Sequence, residues 1–122
     1  MNFKFLSWQE GKYSDLWFFV HLFSGIVGGT FLLLIGMAEI YAWTICAILS
    51  VSWEMGERKY KIPESTRNIF LDIAVAFLGG AIGYKYLHYL NYSQSANIKI
   101  FIAEIAILVC LSIIGWKNYN YR

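Results

Sequence analysis

The sequence predicts an all-α membrane protein, a four-transmembrane-helix antiparallel bundle with a short N-terminal interfacial segment, forming one integral membrane domain over residues 1–122. Three observations predict it. Apolar residues make up 58% of the chain against 15% charged, and mean hydropathy is +0.49, which does not suit a small soluble domain. The charged residues gather between four long apolar runs instead of spreading along the chain. Those runs are joined by short connections, so consecutive helices fold back on one another.

Each element follows in order. Phe3, Phe5, Leu6 and Trp8, interleaved with Lys4, Gln9 and Glu10, predict an amphipathic segment lying on the membrane surface. The first fifteen residues are too polar and interrupted to form the apolar core of a signal peptide, so the first run is expected to be a retained anchor. That first span covers about residues 16–36, long enough at about 1.5 Å per residue to cross a hydrocarbon layer of about 30 Å. A tight Met37-Ala38 connection leads to a shorter second span over about 39–54. The loop 56–66 holds the single proline, Pro63, and Pro63-Glu64-Ser65-Thr66 predicts a turn into a helix N-terminus. A third span over about 67–87 precedes a tyrosine-rich loop with Tyr84, Tyr86, Tyr89 and Tyr92, and a fourth covers about 98–116.

The distribution of basic residues predicts orientation, because Lys and Arg are retained on the cytoplasmic face. Lys4, Lys12, Arg58, Lys59, Lys61, Arg67, Lys117 and Arg122 fall at the termini and second loop, against Lys85 and Lys99 on the other side. Both termini are therefore expected to be cytoplasmic. The net charge of +2 is too small to imply a nucleic-acid partner. Cys46 and Cys110 lie inside apolar runs without metal-ligand spacing, which favours packing over chemistry.

With the helices so oriented, His21, Glu54 and Asp72 fall within about 8 Å of one level in the cytoplasmic leaflet. Glu104 enters the fourth span from the opposite side and is expected outside that group. The faces agree with the depths. His21, Gly25, Gly28, Leu32 and Gly36 form one stripe on the first span, Ala47, Ser50, Glu54 and Glu57 on the second, and Asn68, Asp72, Ala76, Gly79 and Gly83 on the third. Small residues at this spacing let helices approach closely in lipid, which points each polar group into the bundle. A purely structural network would gain about 0.6 kcal/mol per interhelical hydrogen bond. One buried charge costs about 2.5 kcal/mol or more on insertion, so the comparison favours a functional role.

The segment from Glu54 to Gly83 resembles the VanZ-like membrane proteins, a family named from a glycopeptide-antibiotic resistance locus. Asp72, Gly79 and Gly83 match its Asp-x6-Gly-x3-Gly, Glu54 with Glu57 resembles its Glu-x2-Gln, and Arg67 stands near its Arg. Asp15 and His21 resemble the Asp and His that open the family's first span, whereas Ala76 replaces its usual Asn. The resemblance implies a four-helix protein of the bacterial inner membrane and cell envelope, and says more about fold than mechanism.

Three functions are compatible with these residues. In the leading one, a cavity at His21, Glu54, Glu57 and Asp72 opens to the cytoplasmic interface. There Arg58, Lys59, Lys61 and Arg67 attract an anionic lipid headgroup or envelope-precursor phosphate; membrane lipids are the partner and no cofactor is required. In the second, the same His and carboxylates hold a divalent metal, or act as acid and base, in a lipid-phosphate enzyme. No nucleophile elbow, phosphate loop or HExxH motif supports that alternative. In the third, Gly28-Gly29 and Gly79-Gly80 pack against copies of the chain or a larger membrane partner.

Overall fold

Four helices in up-down-up-down order make up the computed structural model, which describes Trp8 and residues 16–59 and 66–118. They are α1 (Trp17–Leu34), α2 (Glu39–Lys59), α3 (Thr66–Leu90) and α4 (Gln94–Asn118), and the described residues contain no strand. Three of them, α1, α3 and α4, are long and apolar enough to cross a membrane. The second helix is long enough at 21 residues. Glu39, Glu54, Glu57, Arg58 and Lys59 make it too polar to stand with the other three. The expected interfacial segment, Trp8 apart, lies outside the described residues, as do Lys61 and Pro63.

The turn after α1 is built by hydrogen bonds that its own carbonyls need. Gly36 adopts φ +75°, a left-handed conformation that glycine takes without steric cost. Its N–H donates to the Leu33 carbonyl, and the Met37 N–H to that of Leu32, each at 3.0 Å. This is the Schellman closure of a helix end. Glu39 opens α2 while Arg58 and Lys59 close it, complementing the helix dipole at both ends. Asn91 (φ 53°) ends α3, and the Ser93 hydroxyl accepts the Ala96 N–H at 3.2 Å to start α4.

The tightest contact joins α1 to α3, two parallel helices, and not the sequence neighbours α1 and α2, which touch least among the main pairs. Glycine is the reason. A Cβ on Gly25 would collide with the Ala76 carbonyl, one on Gly29 with the Gly80 carbonyl, one on Gly79 with the Leu22 carbonyl, and one on Gly83 with the Ile26 carbonyl. The seam therefore pairs Gly25-x3-Gly29 with Gly79-x3-Gly83, backbone against backbone. This corrects the stripe expected on the first helix. Gly28 has open space beside it and Gly36 belongs to the turn, so neither lies in the seam.

Outside this pair the assembly is looser. The second helix packs mainly on α3, and α4 mainly on α1. Asn97 and Gly115 are the buried positions of α4. At one end Trp17 sits between Trp8 and Trp116, with ring centroids 5.3 and 5.0 Å away, and its indole N–H donates to the Trp8 carbonyl at 2.6 Å. At the other end Tyr84 donates its hydroxyl to the Met37 carbonyl at 2.7 Å, and Lys85 pairs with Glu39. Tyr84, Tyr86 and Tyr89 thus belong to α3 rather than to a loop, which leaves Tyr92 in the turn.

Candidate functional site

Because α3 is held against α1 while α2 leans on α3, a gap is left between α1 and α2. It forms a cleft of about 490 Å³, a size typical of small-molecule sites. Its walls come from α1 (Val20, Ser24, Gly28) and α2 (Leu49, Ser50, Trp53), and Asp72 and Ala76 of α3 form its floor. Ser24, Leu49, Ser52 and Trp53 are exposed along it, so the cleft opens at the surface of the bundle.

The polar end of the cleft is the group expected from depth and face. His21, Glu54 and Asp72 all line it, and each is buried, with 8%, 4% and 2% of its surface exposed. His21 stands between the two carboxylates. Its Nε2 is 3.3 Å from Asp72 Oδ2, within hydrogen-bond reach, and its Nδ1 is 3.9 Å from Glu54 Oε1, an ion-pair distance. One helix supplies the imidazole and two others supply its partners, so the group also fastens α1, α2 and α3 at one level.

Asn68 completes the arrangement. It is fully buried one turn before Asp72 and donates its side-chain amide to Asp72 Oδ2 at 3.3 Å. Sequence reasoning placed Asn68 on the right stripe but not in the site; the signal was its spacing of four from Asp72, which puts both on one helical face. Ser50 and Trp53 were likewise missed as cleft residues. The Ser50 hydroxyl is turned back onto the Cys46 carbonyl at 2.7 Å.

The remaining predicted site residues lie outside the cleft lining. Glu57, half-buried on the next turn of α2, accepts the Trp53 indole N–H at 2.8 Å and so sets the orientation of that ring. Arg58 and Lys59 are exposed in the last turn of α2, and Arg67 is exposed in the first turn of α3. They share the end of the bundle at which the His21 group sits. Lys61 lies outside the described residues. Glu104 is remote from this group, as expected: it accepts a hydrogen bond from Thr30 at 3.1 Å across the α1–α4 contact.

Chemically, the site is an imidazole between two acceptor groups. His21, Glu54 and Asp72 each offer one ligand atom within 4.8 Å of the others, a set able to hold a metal ion. The two ring nitrogens nevertheless address different carboxylates, so one ion would take one nitrogen while the other carboxylate orients the ring. As arranged, the group suits exchange of hydrogen bonds and protons. Comparison with protein-family models, curated proteins and solved structures gave no match.

Proposed function

We propose that this chain is a small integral membrane protein of the cell envelope that binds a membrane lipid in the α1–α2 cleft, with the headgroup at His21, Glu54 and Asp72. The observation that carries the reading is the cleft itself: an apolar-walled opening, ending in buried ionisable groups, on a bundle with three helices long and apolar enough to cross a membrane. Such groups are costly at membrane depth and mark sites of function. The apolar walls suit an acyl chain, and the polar end suits what an acyl chain carries. Arg58, Lys59 and Arg67 at the same end add attraction for a phosphate, and Lys61 lies between Lys59 and Arg67 in sequence. The resemblance to VanZ-like proteins supports a bacterial inner-membrane location, and the bias of basic residues supports cytoplasmic termini.

Gly28 provides the test, since it lines the cleft and a Cβ there meets nothing within 4 Å. Gly28→Leu projects a side chain into the cleft while leaving the glycine seam intact. Native mass spectrometry of the gently extracted protein should show a retained phospholipid in the wild type and its loss in Gly28→Leu. Equal retention by both would overturn the reading.

A second reading is favoured by the metal-capable geometry of His21, Glu54 and Asp72. Here a divalent ion supports lipid-phosphate chemistry. A stoichiometric metal in the purified protein, lost in His21→Ala, would move the assignment to it.

A further inference from the structure

The distribution of charge along the cleft points to a particular headgroup. Its deepest polar groups are two carboxylates, Asp72 and Glu54, 2% and 4% exposed, with the His21 imidazole between them. Carboxylates repel a phosphate and accept strong, charge-assisted hydrogen bonds from an ammonium, which carries N–H donors to share between them. The cations lie further out. Arg58 follows Glu54 by four residues, placing it on the same face of α2 about 6 Å nearer the helix end, where it is exposed.

A ligand matching this order carries its positive charge inward and its negative charge outward. In a phosphoethanolamine headgroup two carbons and one oxygen separate nitrogen from phosphorus, nearly the distance between those two levels. We propose that the cleft selects phospholipids bearing a primary ammonium, with the ammonium held beside His21 by the Asp72 and Glu54 carboxylates and the phosphate at Arg58. This assignment rests on the lipid-binding reading above. It replaces a purely anionic headgroup as the ligand class, because an anionic headgroup without an amine would set negative charge against the two carboxylates.

The choline analogue separates donor recognition from simple cation attraction, since its quaternary nitrogen has no N–H. The full-length protein is purified and offered an equimolar mixture of dioleoyl phosphatidylethanolamine, phosphatidylcholine and phosphatidylglycerol, and retained lipid is read by native mass spectrometry. In parallel, maleimide labelling of Cys46, which lines the cleft, reports occupancy in a Cys110→Ser background. Phosphatidylethanolamine should be retained about ten-fold over either competitor, the ratio expected of charge-assisted hydrogen bonds. Asp72→Asn and Glu54→Gln should each reduce that preference. Arg58→Gln, an exposed change that leaves the buried group intact, should weaken retention of phosphatidylethanolamine.

The failures are distinguishable. Cys46 protected by lipid with no preference for the ethanolamine headgroup would overturn the ammonium assignment and leave lipid binding standing. Unchanged retention in Arg58→Gln would overturn the phosphate placement. Cys46 unprotected by any of the three lipids would overturn the lipid-binding reading and this inference with it.

Discussion

His21 Nε2 approaches Asp72 Oδ2 to 3.3 Å, tying α1 to α3 just beyond the point where Gly25 meets the Ala76 backbone. The glycine seam brings the two backbones together, and the polar pair then sets their register. Glu54 reaches the opposite ring nitrogen from α2, so His21 bridges all three helices. Its dual role, structural and at the polar end of a cleft, separates variants that lose stability from those that lose binding alone.

Replacing His21 should cost more than altering either carboxylate conservatively. His21→Ala leaves two buried carboxylates facing an empty site and should destabilise by about 3 kcal/mol. Asp72→Asn keeps hydrogen-bonding capacity toward His21 and Asn68 and should cost about 0.6 kcal/mol. Thermal unfolding in detergent checks both; equal losses would show that the bridge does not hold the helices.

Neighbouring glycines should respond in opposite ways. Gly29→Leu drives a side chain into the Gly80 backbone and should abolish the folded state, whereas Gly28→Leu should leave unfolding within about 0.5 kcal/mol of wild type. The contrast is read from melting curves of the two variants side by side.

Thr30 and Glu104 should be coupled. Thr30→Val keeps shape but withdraws the donor from Glu104, and Glu104→Leu removes the acceptor. A double-mutant cycle should give an interaction of about 0.6 to 1.7 kcal/mol. A value of zero would mean that this hydrogen bond adds nothing to the contact between α4 and α1.

Tyr84→Phe should destabilise by about 1 kcal/mol, because the Met37 carbonyl loses its donor in the α1–α2 turn. Hydrogen exchange at the turn residues should accelerate while the His21 end stays protected.

Chelation discriminates the two functional readings. Exhaustive treatment with EDTA should leave both phospholipid retention and the melting temperature unchanged. Loss of either on chelation, restored by a divalent ion, would assign His21, Glu54 and Asp72 to a metal.

Much of the site was legible because a helix converts sequence position into depth and face. A rise of about 1.5 Å per residue aligned His21, Glu54 and Asp72 before any contact was known, and their spacing to small residues placed them inward. The same periodicity could not separate Gly28 from Gly29, which differ by about 100° around the axis; which one meets α3 depends on where the partner lies. The tyrosines misled for a related reason: aromatic belts mark the membrane interface, but an interface can be crossed by a helix that continues, as α3 does through Tyr84, Tyr86 and Tyr89.

By itself, the sequence determined the all-helical class, the order of the helices and the common level of the three ionisable residues, because these follow from apolar run length and helical rise within single segments. Tertiary structure decided which helices touch. Steric access at Gly25, Gly29, Gly79 and Gly83 drew parallel α1 and α3 together in preference to sequence neighbours. That choice left α2 standing off from α1 and α4 on the margin. The cleft follows from that spacing, since a gap between two helices is a property of their separation and no single segment encodes it.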